Sequence, residues 1–301
     1  MKEHHIPMTS GTPDPTSTAS ATLLEELLQS KFAISLGASF LGYATHSGFL
    51  SKLHELGLHP VAVGGSSAGA IAAGLHASGL SQERIRQAVT SWELRSSFVK
   101  HTPWLTQYLR CTFAERKPGL FKPDDAVTYL ESLFGDLCIE RLSSPRFMAA
   151  VSDLDSHQTH FLQTGSLARA MVASCCVPTI FQPLNHAGMA CFDGGVAHET
   201  PIDPWLEDPE VETILLHRVS HHGDKSPSVV PFNLIQLTAN AHACASEQLF
   251  QYRLKLARLH GKRVIVAETT HERPALFSGS QMPSFYEAGR ATAARLCLGS
   301  A

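Results

Sequence analysis

From residue 23 onward, short apolar runs that end at glycine alternate with stretches whose apolar positions recur every three or four residues. Leu23 to Gln29 has the pattern of a short lead-in helix. Phe32 to Leu36 is a continuous apolar run ending at Gly37, as expected of a strand buried on both faces. Residues 43–56 carry Phe49, Leu50, Leu53 and Leu56 on one helical face and stop at Gly57. Val61 to Val63 is a second short strand ending in glycine. Ala68 to His76, rich in small residues, is a helix packed close to a sheet, and Ser81 is placed to cap the next helix. Beyond these, the pattern predicts helices over Asp124–Phe134 and Ser166–Cys175, strands over Phe147–Val151, Val211–Val219 and Val264–Ala267, and one or two long helices over Phe232–Leu259. From Ser97 to Lys122 the chain is irregular and aromatic, with Phe98, Trp104, Tyr108, Phe113 and Phe121, which suits either a lipid-contacting flap or ordinary core packing. Strand–helix alternation of this kind predicts an α/β fold, a mostly parallel sheet flanked by helices on both faces.

Composition narrows this reading. The chain has 301 residues and is 44% apolar, which excludes global disorder and allows roughly 75% of the unfolded surface to be buried. Lys plus Arg number 24 against 27 Asp plus Glu, with no basic run, which argues against a nucleic-acid partner. Residues 1–22, rich in Pro, Ser and Thr, read as a disordered tail without a signal-like apolar core, ahead of one domain over residues 23–301. The apolar stretch from Val61 to Leu80 is broken by Ser66, Ser67, His76 and glycines, so no membrane span is expected and any membrane-surface contact is transient and peripheral. Seven cysteines, an odd number with no CxxC, point to reduced thiols and a cytoplasmic setting. Cys175 and Cys176 read as core filler, and oligomeric state is left open.

The chemistry concentrates at glycine-rich turns. Gly65-Ser66-Ser67-Ala68-Gly69 follows a strand and opens a helix, the context of a nucleophile elbow that lifts the Ser67 hydroxyl out at the strand end. The helix behind it turns its first amides and positive dipole end toward the same spot. Gly37-Ala38-Ser39-Phe40-Leu41-Gly42 follows the first strand; its small residues suit backbone amides converging on an anion, and it is neither a dinucleotide fingerprint nor a Walker loop. Cys191-Phe192-Asp193-Gly194-Gly195 is the third such turn. For a serine nucleophile the ordinary base is histidine, and His217 and His221, at and just past a strand end, are the candidates for a Ser-His-Asp esterase. His217, His221, His222 and Asp224 meet no known metal-ligand spacing and read as a solvated loop.

Taken together, these motifs resemble the patatin-like phospholipase family. The resemblance rests on the loop ending Phe40-Leu41-Gly42, His46-x-Gly48, Gly65-Ser66-Ser67-Ala68-Gly69, Ala173-Ser174-Cys175-Cys176-Val177-Pro178 with Phe181 and Pro183, and Asp193-Gly194-Gly195 before Pro201 and Asp203. It covers about residues 31–205, and the Phe-Leu-Gly ending resembles the branch that includes adipose triglyceride lipase and adiponutrin. The resemblance implies a three-layer αβα fold and hydrolysis of lipid acyl esters, phospholipid, lysophospholipid or acylglycerol, with no metal or organic cofactor. It also implies a Ser67–Asp193 dyad, an oxyanion hole from the amides of Gly37, Ala38 and Ser39 with Ala68 as a further donor, and Gly42, Gly65, Gly69, Gly194 and Gly195 in support. Two departures stand out: Ala38 and Ser39 replace glycines of the family loop, and Leu41 stands where an Arg or Lys is usual. An aspartate acting alone as base needs a dry site that raises its pKa. A catalytically weak homologue that binds an acyl chain is the remaining alternative.

Overall fold

The computed structural model describes residues 22–99, 119–222, 234–275 and 279–299. The expected tail, up to residue 21, and residues 100–118 of the aromatic stretch lie outside them, as does Asp224. In chain order the helices and strands are α1 (Leu23–Gln29), β1 (Phe32–Leu36), α2 (Tyr43–Glu55), β2 (Ala62–Ser66), α3 (Ala68–Ala77), α4 (Gln82–Thr90), α5 (Trp92–Phe98), β3 (Gly119–Phe121), α6 (Asp124–Phe134), β4 (Arg146–Asp153), β5 (Gln158–Leu162), α7 (Leu167–Ala173), β6 (Thr179–Phe181), β7 (Leu184–His186), β8 (Met189–Asp193), β9 (Thr213–His221), α8 (Leu234–Leu259), β10 (Arg263–His271) and α9 (Met282–Leu298).

The main sheet runs β10-β9-β1-β2-β4-β8-β7, with β5 on the other edge of β4. The first five strands are mutually parallel; β5 and β8 run antiparallel to β4, and β7 antiparallel to β8. The two-residue period of a strand divides the apolar residues between the faces. Phe32, Ile34 and Leu36 of β1, Val63 of β2 and Leu215 of β9 join the larger core, which is roofed by α2, α3 and α9. Ala33, Ala62, Ile214 and Leu216 point the other way, under Trp205, Leu206 and Val211 and under Phe250 and Ala257 of α8. Fully burying such an aliphatic or aromatic side chain contributes about 1.5–3 kcal/mol, so both faces hold the sheet. The α/β architecture, a mostly parallel sheet with helices on both faces, is the one the alternation predicts.

Two regions differ from the sequence reading. The antiparallel part of the sheet, β5, β7 and β8, escapes periodicity because Gln158–Leu162 and Met189–Asp193 are short and partly polar. Strand β9 continues past Val219 to His221 because it pairs with β10 along its whole length, up to His221 opposite His271. His217 and His221 are therefore buried strand residues, 0% and 5% exposed, and not members of a solvated loop.

Candidate active site

Strand β4 assembles the site. Its edge toward β2 is paired up to Ala150, which faces Ser66, and the next residue, Val151, faces Asp193 at the end of β8. Because β8 runs antiparallel to β4 while β2 runs parallel to it, the C-terminal ends of β2 and β8 meet head to head. Ser67 and Asp193, far apart in sequence, are brought together by two consecutive positions of one strand.

Ser67 stands between β2 and α3 with φ +53° and ψ −120°, a left-handed conformation rare for a residue with a side chain. The strain holds because neighbouring backbone closes around the turn. A Cβ on Gly69 would come within 2.2 Å of the Leu36 carbonyl oxygen, so only glycine lets α3 start this close to β1. Gly65 is equally constrained, since a Cβ there would lie 2.2 Å from the Gly69 carbonyl carbon. The Ser67 amide donates to Ser174 Oγ at 2.9 Å, and Ser174 Oγ donates in turn to the Ala150 carbonyl at 2.6 Å. Sequence reading quotes Ser174 only as part of a motif; its place at the end of α7, against the elbow, is visible only in the fold.

Asp193 is 4% exposed. Its amide donates to the Cys176 carbonyl at 2.9 Å, and its Oδ1 accepts from the Gly195 amide at 2.7 Å. Burial pushes its carboxyl up to about 6, partly offset by the Ser67 hydroxyl and the Gly195 amide, which favour the charged form. Among the described residues its Oδ2 has no other hydrogen bond, and the Ser67 hydroxyl lies close enough to favour its charged form. Gly194 lets β8 end against β4, since a Cβ there would lie 2.3 Å from the Ala150 carbonyl oxygen. Burial raises the thiols of Cys175 and Cys176, and Cys175, partly exposed, lies beside Ser67; neither carries the lowered pKa of a reactive thiolate.

The loop after β1 departs from the amide set that the resemblance assigns to the oxyanion. The Gly37 amide donates to the His217 carbonyl at 3.0 Å and the Ala38 amide to the Glu199 carbonyl at 2.7 Å. An N–H pointed at a carbonyl cannot also point at a developing oxyanion, so in this arrangement these two amides hold the loop. The hydrogen bonds of the described residues leave the Ser39 and Ala68 amides without an acceptor. Gly42 sits under Ser39, whose Oγ would be 1.9 Å from a Cβ at that position. Leu41 takes φ +53°.

None of the described histidines is hydrogen-bonded to Ser67 or Asp193. Both ring nitrogens of His217 are occupied elsewhere, by His46 and Thr269. His198 lies 3.0 Å from Asp203, and His221 packs against the ring of His271. His242 Nε2 lies 3.0 Å from the Val196 carbonyl oxygen. Among the described residues, no group of three or more His, Cys, Asp and Glu side chains is placed to hold a metal ion, and no helix is long and apolar enough to cross a membrane.

Comparison with known proteins converges on one family. Residues 34–206, more than half of the chain, match the description "Patatin-like phospholipase". An uncharacterized NTE family protein of Mycobacterium tuberculosis is 28% identical over 175 residues, 58% of this chain and 45% of the relative. The neuropathy target esterase of Drosophila melanogaster is 29% identical over 171 residues, 56% of this chain and 11% of that protein. The chain thus spans less than half the length of these relatives. Among solved structures, VipD from Legionella pneumophila shares the fold at 14% identity with a TM-score of 0.50, covering 89% of this chain and 67% of that one.

Proposed function

The chain belongs to the patatin-like phospholipase family, and on that premise we propose that it is a serine acyl hydrolase that cleaves lipid acyl esters through Ser67 and Asp193. The observation that carries this reading is the head-to-head meeting of the two residues across Ala150 and Val151. In the first half-reaction the Ser67 Oγ attacks the ester carbonyl carbon while its proton passes to the Asp193 carboxylate. The carbonyl oxygen gains the negative charge and is met by the Ser39 amide of the loop after β1 and the Ala68 amide at the N-terminus of α3. Collapse breaks the bond to the alcohol, which leaves with the proton from Asp193, and the acyl group stays on Ser67. Water then attacks the acyl-enzyme, its proton again taken by Asp193, and the fatty acid leaves as Ser67 regains its own. Burial makes the aspartate basic enough for both transfers without removing its charge at neutral pH.

The acyl chain has apolar surface available near the elbow. Val177 and Ile180 are exposed two and five residues beyond Cys175, and Phe40 is exposed on the oxyanion loop. Phe98 and Phe121, which flank residues 100–118, pack on Phe181 at ring separations of 5.9 and 6.2 Å. With Leu41 in place of a cation, these features favour an uncharged or zwitterionic ester with a medium or long chain. The Phe40-Leu41-Gly42 ending argues for the branch that includes adipose triglyceride lipase and adiponutrin, whereas the curated relatives carry neuropathy-target-esterase names. We take residues 23–301 as one hydrolase domain working on lipid at a membrane surface or in dispersion.

The committed Gly37 and Ala38 amides favour a second reading, a weakly active homologue that retains acyl chains. A fluorophosphonate probe separates the two, because covalent labelling demands an activated serine and a working hole. Rapid labelling of the wild type, lost in Ser67→Ala and Asp193→Asn, supports the hydrolase. Labelling that persists in Ser67→Ala overturns it, and an unlabelled wild type that still binds fatty acid selects the second reading.

A further inference from the structure

Behind the oxyanion loop lies a chain of polar groups that takes no part in the chemistry above. His46 and His217 are fully buried, each 0% exposed. His46 Nε2 lies 2.9 Å from the Gly37 carbonyl oxygen, and its Nδ1 lies 2.9 Å from His217 Nδ1. His217 Nε2 lies 2.9 Å from Thr269 Oγ1, which is 2.8 Å from Thr292 Oγ1. The ring of His217 is stacked on Phe49 at 4.0 Å, which fixes its plane. The Gly37 carbonyl passes between His46 and α3, where a Cβ on Gly69 would come within 2.8 Å of it.

We infer that His46, backed by His217, is a positioning residue for the oxyanion loop: its Nε2–H holds the Gly37 carbonyl and thereby sets the course of the backbone that delivers the Ser39 amide to Ser67. The inference rests on the proposed role of Ser67 but concerns residues outside the dyad. The proton positions follow from the chain's fixed end. A carbonyl only accepts, so His46 Nε2 carries hydrogen. Burial without a carboxylate partner keeps both rings neutral, holding His46 down at about 3 and His217 well below its ordinary value. A neutral His46 then accepts at Nδ1, so the proton between the two rings belongs to His217 Nδ1; the bare His217 Nε2 faces the Thr269 hydroxyl, whose one hydrogen serves either that nitrogen or Thr292 Oγ1. Histidine carried on α2 is thus joined through β9 and β10 to the loop, and every link is buried where a lost bond is costly. The same peptide explains why the Ala38 amide is turned from the oxyanion: with the Gly37 carbonyl held by His46, the Ala38 N–H on its far side donates to the Glu199 carbonyl.

Two measurements test this. Nitrogen-15 NMR of the histidine rings in the wild type should show His46 as the Nε2–H tautomer and His217 as the Nδ1–H tautomer, neither titrating between pH 5 and 9. Finding His217 protonated at Nε2, or either ring titrating in that range, overturns the inference without reference to activity. In kinetics, His46→Leu removes the hold on Gly37 and His46→Gln keeps an amide donor for it. The expected result is a ten- to hundredfold loss of kcat in His46→Leu with KM changed less than threefold, and recovery of most of that loss in His46→Gln. A folded His46→Leu with the wild-type kcat overturns the inference. If His46→Leu does not fold, Thr269→Val decides: a shifted His217 Nε2 resonance with a several-fold lower kcat and KM changed less than threefold supports the chain, and no change in either refutes it. If Ser67 is not the nucleophile, Ser67→Ala keeps its activity whatever the tautomers are, so the two failures are distinguishable.

Discussion

The Ser174 hydroxyl holds the backbone of Ser67: it accepts from the Ser67 amide at 2.9 Å and donates to the Ala150 carbonyl at 2.6 Å. The elbow's left-handed residue is thereby tied to the same β4 position that faces Ser66. Ser174→Ala strands a donor and an acceptor in a fully buried place, at a cost of about 1–3 kcal/mol. We expect a lower midpoint in urea and a fluorophosphonate labelling rate reduced at least tenfold. A variant with unchanged labelling would show that the elbow keeps its geometry unaided.

Close packing at Gly69 gives a second prediction. Ala at Gly69 meets the Leu36 carbonyl oxygen at 2.2 Å, backbone against backbone with nothing flexible to give way. Ala at Gly79 takes an unfavourable φ of +79° but meets nothing within 4 Å. Left-handed strain alone costs about 1–2 kcal/mol, so Gly79→Ala should fold and keep its activity. Gly69→Ala should lose activity and unfold at markedly lower temperature. Equal melting temperatures for the two variants would contradict the close approach of α3 to β1.

The parallel core was legible in the sequence because its strands are buried on both faces and read as unbroken apolar runs, as Phe32–Leu36 does. The elbow was legible because its backbone geometry demands glycine at Gly65 and Gly69. What sequence could not carry is pairing. Nothing in Met189–Asp193 says that it will lie antiparallel to β4, yet that register alone sets Asp193 beside Ser67. The same holds for the oxyanion loop, whose small residues signal an anion site while the partners of Gly37 and Ala38 come from residues 217 and 199. His217 misled for a related reason: a polar residue near a predicted strand end reads as exposed, whereas here it is buried with both ring nitrogens partnered.

Acid stability follows from the buried histidines. Burial lowers His46 to about 3 and His76 to about 4, and also lowers His217, His198, His186 and His271. Each is protonated near pH 6.5 when unfolded but stays neutral when folded, so its stabilising effect is complete above 6.5 and is lost as pH falls toward the folded value. His46 alone should remove roughly 1 kcal/mol between pH 6.5 and 5.5, and His217 acts in the same direction. Asp193 acts in the opposite sense between about 6 and 3.8, one group against six. Urea midpoints measured from pH 8 to pH 4.5 should therefore fall continuously below 6.5. Midpoints that stay level to pH 5 would show that these rings are charged or accessible in the fold.

Asp193 itself joins activity to stability with opposite signs. As the base it must be ionised, so kcat/KM on a soluble ester should rise through an ionisation near pH 6 and stay level above it. Its charge is also a burden on the fold: a carboxyl raised to about 6 from 3.8 makes the native state less stable above pH 6, by on the order of 3 kcal/mol. Asn at this position keeps an oxygen for the Gly195 amide and removes the buried charge. Asp193→Asn should thus lose about a thousandfold or more in kcat while melting several degrees higher than the wild type at pH 7.5. The stability gain should shrink as pH drops from 6 toward 4, where the wild-type carboxyl becomes neutral. A variant that loses activity and stability together would mean that Asp193 holds the turn rather than takes the proton, and a rate profile centred on another pH would assign the base to a different residue.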